Sequence, residues 1–232
     1  MSGAGLLLAA GAGRRLGWAI PKAFVPLAGR PMLEYSLSAM AASGVVSAVV
    51  LIVPESERRR VEETIADLRS GALISAVVSG GTTRRRSVQR GLAAVQADAT
   101  TIVCHDAARP FATPALFVRV VEGLRDVDGC IPTVPVPDTL KRTRDGRVMH
   151  TIPREDVVLA QTPQAFVCAS LRAAHDAENV EEATDDALLL EARGMPIATV
   201  AGEPGNFKIT TPEDLRRAEE IVARRGLAPA ER

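Results

Sequence analysis

The sequence carries no excess charge of either sign: 28 basic side chains balance 28 acidic ones over 232 residues. Without a bulk field, nothing draws the chain to nucleic acid or to an anionic membrane surface, and neither is expected as a partner. No apolar run approaches the ~20 residues that a membrane span needs. The N-terminus lacks a basic leader segment, and its apolar stretch runs straight into glycines. That reads as a buried strand rather than a secretion signal. Cysteine is scarce and odd in number: Cys104, Cys130 and Cys168 stand far apart, with no CxxC or His/Cys spacing. A disulfide framework and a zinc ribbon are thereby excluded, and buried free thiols in a reducing cytoplasm are expected. Lysine is scarcest of all. Only Lys22, Lys141 and Lys208 occur among the 28 basic residues, leaving 25 arginines. A lysine kept against such a bias marks a place where a compact ammonium serves better than a guanidinium.

What is present suits one domain over residues 1–232. Apolar residues make up 47% of the chain, enough for a sizeable core. Buried, β-branched runs predict strands at 4–9, 47–54, 72–79 and 100–106. Between them, apolar residues at helical spacing predict helices over 31–43, 55–70, 87–97 and 113–126, with Thr113 as N-cap and Pro114 at the first helical position. Alternating strands and helices imply an α/β fold: a mostly parallel twisted sheet with helices on both faces. Ligands of such sheets bind outside the carboxyl ends of the strands.

Residues 131–163 interrupt the alternation with five prolines and an RDGR turn signal at 144–147. A β-ribbon, an arm at about 135–160 inserted in the domain, is the reading. Alone in water a two-stranded ribbon is not stable, so it must rest on the body or on another subunit. Helices near 168–178 and 184–193, a strand at 196–201, the FKIT segment at 207–210 and a last helix from about 212 complete the chain.

The stretch AAGAGRRLGWAIPK at 9–22 follows the first strand. It is not a Walker loop, which needs G-x-x-x-x-G-K-[ST]. Nor is it a dinucleotide fingerprint: Gly11 and Gly13 fit, but Gly17 falls one residue late, and the acid after the second strand is Glu55, about twice the expected ~20 residues beyond the last glycine. What remains is a long cationic loop at the functional edge of the sheet. Its small residues allow backbone N–H groups to approach phosphates, and Arg14, Arg15 and Lys22 can surround a multiply charged anion. Such a loop suits phosphoryl chemistry, where fixed cations stabilise charge developing on equatorial oxygens.

AAGAGRRL…PKAF, GGTTRRRSV, HDAARPF, VPDTLKR, QTPQAF and FKITTPEDL follow in this order. Together they resemble the 2-C-methyl-D-erythritol 4-phosphate cytidylyltransferases of the non-mevalonate isoprenoid pathway, from about residue 4 to 224. The resemblance implies a Rossmann-like nucleotidyltransferase fold with a protruding β-ribbon dimerisation arm, and a cytoplasmic homodimer. It implies CTP and methylerythritol phosphate as substrates, with Mg²⁺ held mainly through phosphates and in part by Asp106. It also implies the single-enzyme form rather than the fusion with a cyclodiphosphate synthase.

Residue by residue, Arg15 and Lys22 would stabilise the pentavalent α-phosphorus. Ala9, Ala10, Gly11, Gly13 and Ala107 would lie along the nucleotide. Gly81, Thr82 and Ser87 would line the cytosine pocket, and Asp106 would sit by ribose and metal. Lys208 and Arg154 would hold the acceptor phosphate, Thr139 would help Arg154, and Thr139 and Arg154 would serve the partner's site; apart from the resemblance, Thr184 and Arg109 read as further substrate contacts. Thr82 stands where many relatives have an acid, and Pro153 where many have aspartate. The implied nucleophile is a phosphate monoester oxygen, already anionic near pH 7, so no general base is needed.

Other polar residues have plainer readings. His105 is not expected to be catalytic, and His150 and His175 read as surface residues. Arg109 reads first as pairing with a nearby acid, and Asp185 and Asp186 as caps for the 184–193 helix. Arg58, Arg59, Arg60, Arg85 and Arg86 read as solvated. Two other functions fit the same motifs: a cytidylyltransferase for another alditol phosphate, such as ribitol 5-phosphate, and a nucleotide-binding regulator without catalysis.

Overall fold

In a computed structural model, residues 3–11, 13, 20–65, 68, 70–176 and 183–224 are described. Four strands make the parallel half of the sheet: β1 (Gly3–Leu8), β4 (Ala48–Val53), β5 (Ile74–Ser79) and β6 (Thr101–Asp106). A short hairpin, β2 (Pro26–Leu27) with β3 (Arg30–Pro31), lies outside this sheet. The other half contains β7 (Gly129–Pro135), β10 (Val158–Ala160), β11 (Gln164–Val167) and β12 (Ile197–Ala201). The order is β10-β7-β11-β6-β1-β4-β5, with β12 parallel to β7. β11 runs antiparallel between β6 and β7. The arm is β8 (Leu140–Arg144) with β9 (Arg147–Ile152), which among the described residues pair only with each other.

Side-chain alternation sorts the core into two layers. Leu7 and Leu51 point to one face, where α1 (Met32–Ser43) and α4 (Pro114–Glu122) cover them with Leu37, Met40, Phe117 and Val120. Leu6, Val50 and Ile52 point to the other, beneath α3 (Arg84–Ala93), α5 (Cys168–Asp176) and α6 (Ala187–Glu191). All three cysteines are free and buried in these layers. A third cluster packs α7 (Pro212–Arg224) and Ile209 against Val25, Leu27, Tyr35 and Phe111. It brings the end of the chain back to the segment after the glycine loop, which places Lys208 near the carboxyl ends of β1 and β6.

Several elements differ from the sequence expectation. The 55–70 helix opens as a 3₁₀ turn (Glu55–Glu57) and continues as α2 only over Arg58–Thr64. Beyond it, Leu68 N–H donates to the Ile65 carbonyl and Gly71 N–H to the Leu68 carbonyl. α3 begins at Arg84 instead of 87, because the Thr83 hydroxyl caps it by accepting from Arg86 N–H. Residues 131–135 belong to the main sheet despite their prolines. On one side of β7 the neighbour changes from β11 to β10 around Pro132, and Pro135 ends the strand. No helix is long and apolar enough to cross a membrane among the described residues.

Candidate active site

The carboxyl ends of β1, β5 and β6 open onto a cavity of about 490 Å³. Ala9, Ala10 and Gly11 form one wall, Gly81, Thr82 and Ser87 another, and Lys22, Asp106 and Lys208 the polar rim. Backbone bonds tie the walls to the sheet: Ala9 N–H donates to Ile52 (2.8 Å), Gly80 N–H to Val53 (2.7 Å) and Ala107 N–H to Leu8 (3.1 Å). Ser87 Oγ accepts from Gly81 N–H (3.0 Å) and donates to the Thr83 carbonyl (2.9 Å), so it fixes the turn that opens α3. Gly13 has φ +62°, and a Cβ there would stand 2.7 Å from Lys22 Cβ and 3.1 Å from Lys22 N. Only glycine suits that conformation and that approach. Arg15 and Arg14 lie outside the described residues.

A second cavity of about 230 Å³ adjoins the first and shares Arg84, Asp106 and Lys208 with it. Arg109, Thr162 and Thr184 line its far side. Asp106 thus stands where the two spaces meet. Its Oδ2 accepts from Lys208 Nζ at 2.6 Å, and its Oδ1 lies 3.9 Å from Arg84 Nε. Burial would raise this carboxyl, but Lys208, then Arg84 and Arg109, outweigh it and hold it down at about 2.

Neighbouring histidines are structural. Burial, which disfavours the charged ring, pushes His105 down to about 4 against the pull of Asp106. Its Nε2 faces the Arg109 carbonyl (3.3 Å), which can only accept, so the proton sits on Nε2. Nδ1 then accepts from Thr162 Oγ1 (3.1 Å), which itself accepts from Asp106 N–H (3.0 Å). His105 therefore serves as a fixed strut under the Asp106 backbone. His175 is buried, not a surface residue: its Nε2 lies 3.2 Å from Asp186 Oδ1 within the second layer. His150 is exposed on the arm, as expected.

Asp185 does cap α6, accepting from Leu188 N–H (3.1 Å). Asp186 does not, because its carboxylate is fully buried and meets Arg84 Nη2 at 2.8 Å. Arg109 feels the charge of Asp106 but hydrogen-bonds a carbonyl: Nη1 donates to Asn206 (2.8 Å), which joins the 106–109 loop to the loop carrying Lys208. Arg85 is not simply solvated either, since its Nη2 donates to the His175 carbonyl (3.0 Å). Arg86 is exposed, and Arg58, Arg59 and Arg60 pair with Glu62, Glu63 and Glu57 at the surface.

Thr139 and Arg154 line neither cavity of their own chain. Both are exposed at the base of the arm, and Arg154 Nη1 donates to the Pro137 carbonyl (2.6 Å). Lys141 lies out along the arm, donating to Thr151 Oγ1 (2.7 Å). The residue that sequence reasoning missed is Arg84, which borders both cavities. The available signal was Thr83, whose capping places Arg84 in the first turn of α3 at the strand ends.

Two adjoining spaces edged by Lys22, Lys208, Arg84 and Arg109, with one ionised carboxylate between them, suit two anionic ligands meeting end to end. Comparison with known proteins points the same way. A family model described as 2-C-methyl-D-erythritol 4-phosphate cytidylyltransferase matches residues 4–224. A protein of that name from Nocardia farcinica is 45% identical over 222 residues, covering 95% of this chain and 94% of its own length. The bifunctional enzyme IspD/IspF of Nitratidesulfovibrio vulgaris is 43% identical over 219 residues, 90% of this chain. This chain spans about half of that longer relative, 55% of its length. The crystal structure of the 2-C-methyl-D-erythritol 4-phosphate cytidylyltransferase of Thermus thermophilus superposes with a TM-score of 0.79 at 36% identity, covering 96% of this chain and all of the other.

Proposed function

The chain belongs to the 2-C-methyl-D-erythritol 4-phosphate cytidylyltransferase family, and on that premise we propose that it transfers the cytidylyl group of CTP to 2-C-methyl-D-erythritol 4-phosphate. The products are 4-diphosphocytidyl-2-C-methyl-D-erythritol and pyrophosphate, on the route to isoprenoid precursors. The observation that carries the reading is the meeting of two cavities at the Asp106–Lys208 pair.

CTP occupies the larger cavity. Its base lies against Gly81, Thr82 and Ser87, its phosphates along Ala9 to Gly11 beside Lys22, and its ribose near Asp106. The acceptor phosphate enters the smaller cavity between Lys208, Arg109 and Thr184. One of its oxygens attacks the α-phosphorus and pyrophosphate leaves toward the glycine loop. Attacker and target are both anions, so cations on each side must offset their repulsion. Lys22 does so from the nucleotide side and Lys208 from the acceptor side, with Arg15 as a further candidate on the loop. Fixed charges aimed at the reacting phosphorus cost no reorganisation when charge develops.

A divalent cation fits this donor set in one manner. No group of three or more metal-ligating side chains occurs among the described residues, which therefore offer no protein cage. Asp106 alone, an ionised hard-oxygen donor, would hold Mg²⁺ together with the triphosphate oxygens, a shell typical of that ion. When bound, the ion would neutralise charge on the triphosphate and the leaving pyrophosphate.

The arm supports a homodimer. β8 and β9 pair only with each other among the described residues, and Val148 (63% exposed) and Met149 (55%) present apolar surface on it. Docked on a second subunit, the arm would bring the partner's Arg154 and the partner's Thr139 to the acceptor cavity.

The test is pyrophosphate release from CTP, with Mg²⁺ and a panel of alditol phosphates. Turnover with methylerythritol phosphate supports the reading. Turnover with ribitol 5-phosphate alone would reassign the acceptor, and CTP binding without turnover would make the protein a nucleotide-binding regulator.

A further inference from the structure

Arg84 lies on the boundary of both cavities and between two carboxylates. Its Nε is 3.9 Å from Asp106 Oδ1 on the cavity side, and its Nη2 is 2.8 Å from Asp186 Oδ2 on the core side. Asp186 is in turn held by His175 Nε2 at 3.2 Å. The side chains of Asp186 and His175 are 1% and 2% exposed, whereas that of Arg84 is 22% exposed. Placing such charges in a core carries a large desolvation penalty, so a buried ion pair is weak evidence for stability by itself. What the pair does supply is direction. A guanidinium is a rigid planar fork, and one end fixed by Asp186 determines where the other end points. That other end faces Asp106, whose remaining oxygen receives Lys208.

We propose that Arg84 is a positioning residue for the transfer: braced from the core by Asp186 and His175, it sets the direction in which Asp106 presents its carboxylate to Lys208 where the two cavities meet. The inference rests on the reading that Asp106 and Lys208 serve the reaction. The brace also connects three otherwise separate elements at the site. It links the first turn of α3, the carboxyl end of β6 and the loop before α6, which carries Thr184 on the wall of the smaller cavity.

The experiment uses the full chain and compares wild type with Arg84→Gln, Asp186→Asn, Asp106→Asn and the Arg84→Gln/Asp106→Asn double variant. Turnover and thermal unfolding are measured on each. Outer residues that orient a functional group typically account for about 10–100-fold in activity. Arg84→Gln and Asp186→Asn are each expected to lower kcat by that factor. On the Asp106→Asn background, Arg84→Gln is expected to add little, because its effect passes through Asp106. Arg84→Lys keeps the charge and loses the fork, so it is expected to fall with Arg84→Gln rather than with wild type. It also carries the same cycle if Arg84→Gln does not fold. Losses that multiply in the double variant would overturn the proposal, as would a lower melting temperature with kcat within twofold of wild type. Absence of turnover by the wild-type protein would remove the underlying function and this inference together.

Discussion

Lys208 Nζ donates to Asp106 Oδ2 at 2.6 Å, joining side chains 102 residues apart at the meeting point of two cavities. The contact depends on α7 and Ile209 packing back against Val25 and Leu27, and on Ile209 N–H donating to the Ala108 carbonyl at 2.9 Å. The ammonium is half in water, so the contact adds little stability, and in the proposed reaction its charge serves the acceptor. Lys208→Ala is expected to lower kcat/KM by about 10²–10³, the size of one lost oxyanion donor. Its melting temperature should stay near wild type. Lys208→Arg should recover little, since the guanidinium is larger and differently shaped. Steady-state kinetics and calorimetry of both variants check this.

Gly13 and Lys22 form a second such relationship. The positive φ at Gly13 would cost any L-residue roughly 1–2 kcal/mol, and a Cβ would press on both the backbone and the Cβ of Lys22. Gly13→Ala is therefore expected to displace Lys22 and lower kcat/KM more than about tenfold, equivalent to about 1.4 kcal/mol. Global stability should change less than activity, because Gly13 itself belongs to none of the three core clusters. A variant with wild-type kcat/KM would show that the position of Lys22 does not matter to the reaction.

The arm makes a test of shared sites possible. Arg154 lines neither cavity of its own chain, and the apolar side chains of Val148 and Met149 are exposed. Lys22→Ala and Arg154→Ala homodimers should each be nearly inactive. After subunit exchange, heterodimers contain one site with both residues intact, and activity should return to a substantial fraction of wild type. Confirmed exchange without recovery would place Arg154 in the site of its own subunit or outside the chemistry.

Acid sensitivity should come partly from His105. Its folded value of about 4 lies below the ordinary 6.5, so the unfolded chain binds the extra proton between those values. Stability therefore falls as pH drops from about 6.5 toward 4, at up to about 1.4 kcal/mol per pH unit. Between pH 7 and 5 the His105 share is roughly 1–2 kcal/mol. Asp106, held at about 2 against an ordinary 3.8, adds its loss only below pH 4. Urea unfolding of wild type and His105→Asn at both pH values should show the smaller pH dependence in the variant. Equal slopes would contradict the buried neutral histidine.

Much of this arrangement was legible in the sequence, for a physical reason. β1, β4 and β6 are almost wholly buried parallel strands, so they read as plain apolar runs, as does the half-buried edge strand β5, and the cavity-lining loops follow them directly. Lys22 and Lys208 stood out because arginine has replaced lysine almost everywhere else. Arg84 was hard to single out. In TTRRRSV the three arginines are equivalent on paper, and which one turns inward depends on Thr83 starting the helix early and on Asp186 waiting in the core. His175 was misread for the same reason, since its burial is set by Asp186 and α6 rather than by its own segment. β7 hid behind prolines that its changing neighbours tolerate, and β11 is only four residues long.

In the proposed reaction an acceptor phosphate oxygen attacks the α-phosphorus of CTP. Methylerythritol phosphate labelled with ¹⁸O in its phosphate, followed by ³¹P NMR and mass spectrometry of the products, traces that oxygen. The expected result is a cytidine diphosphate diester that retains all the label, including the bridging oxygen, together with unlabelled pyrophosphate. Label in the pyrophosphate, release of CMP, or a product that keeps a free phosphate monoester would contradict it.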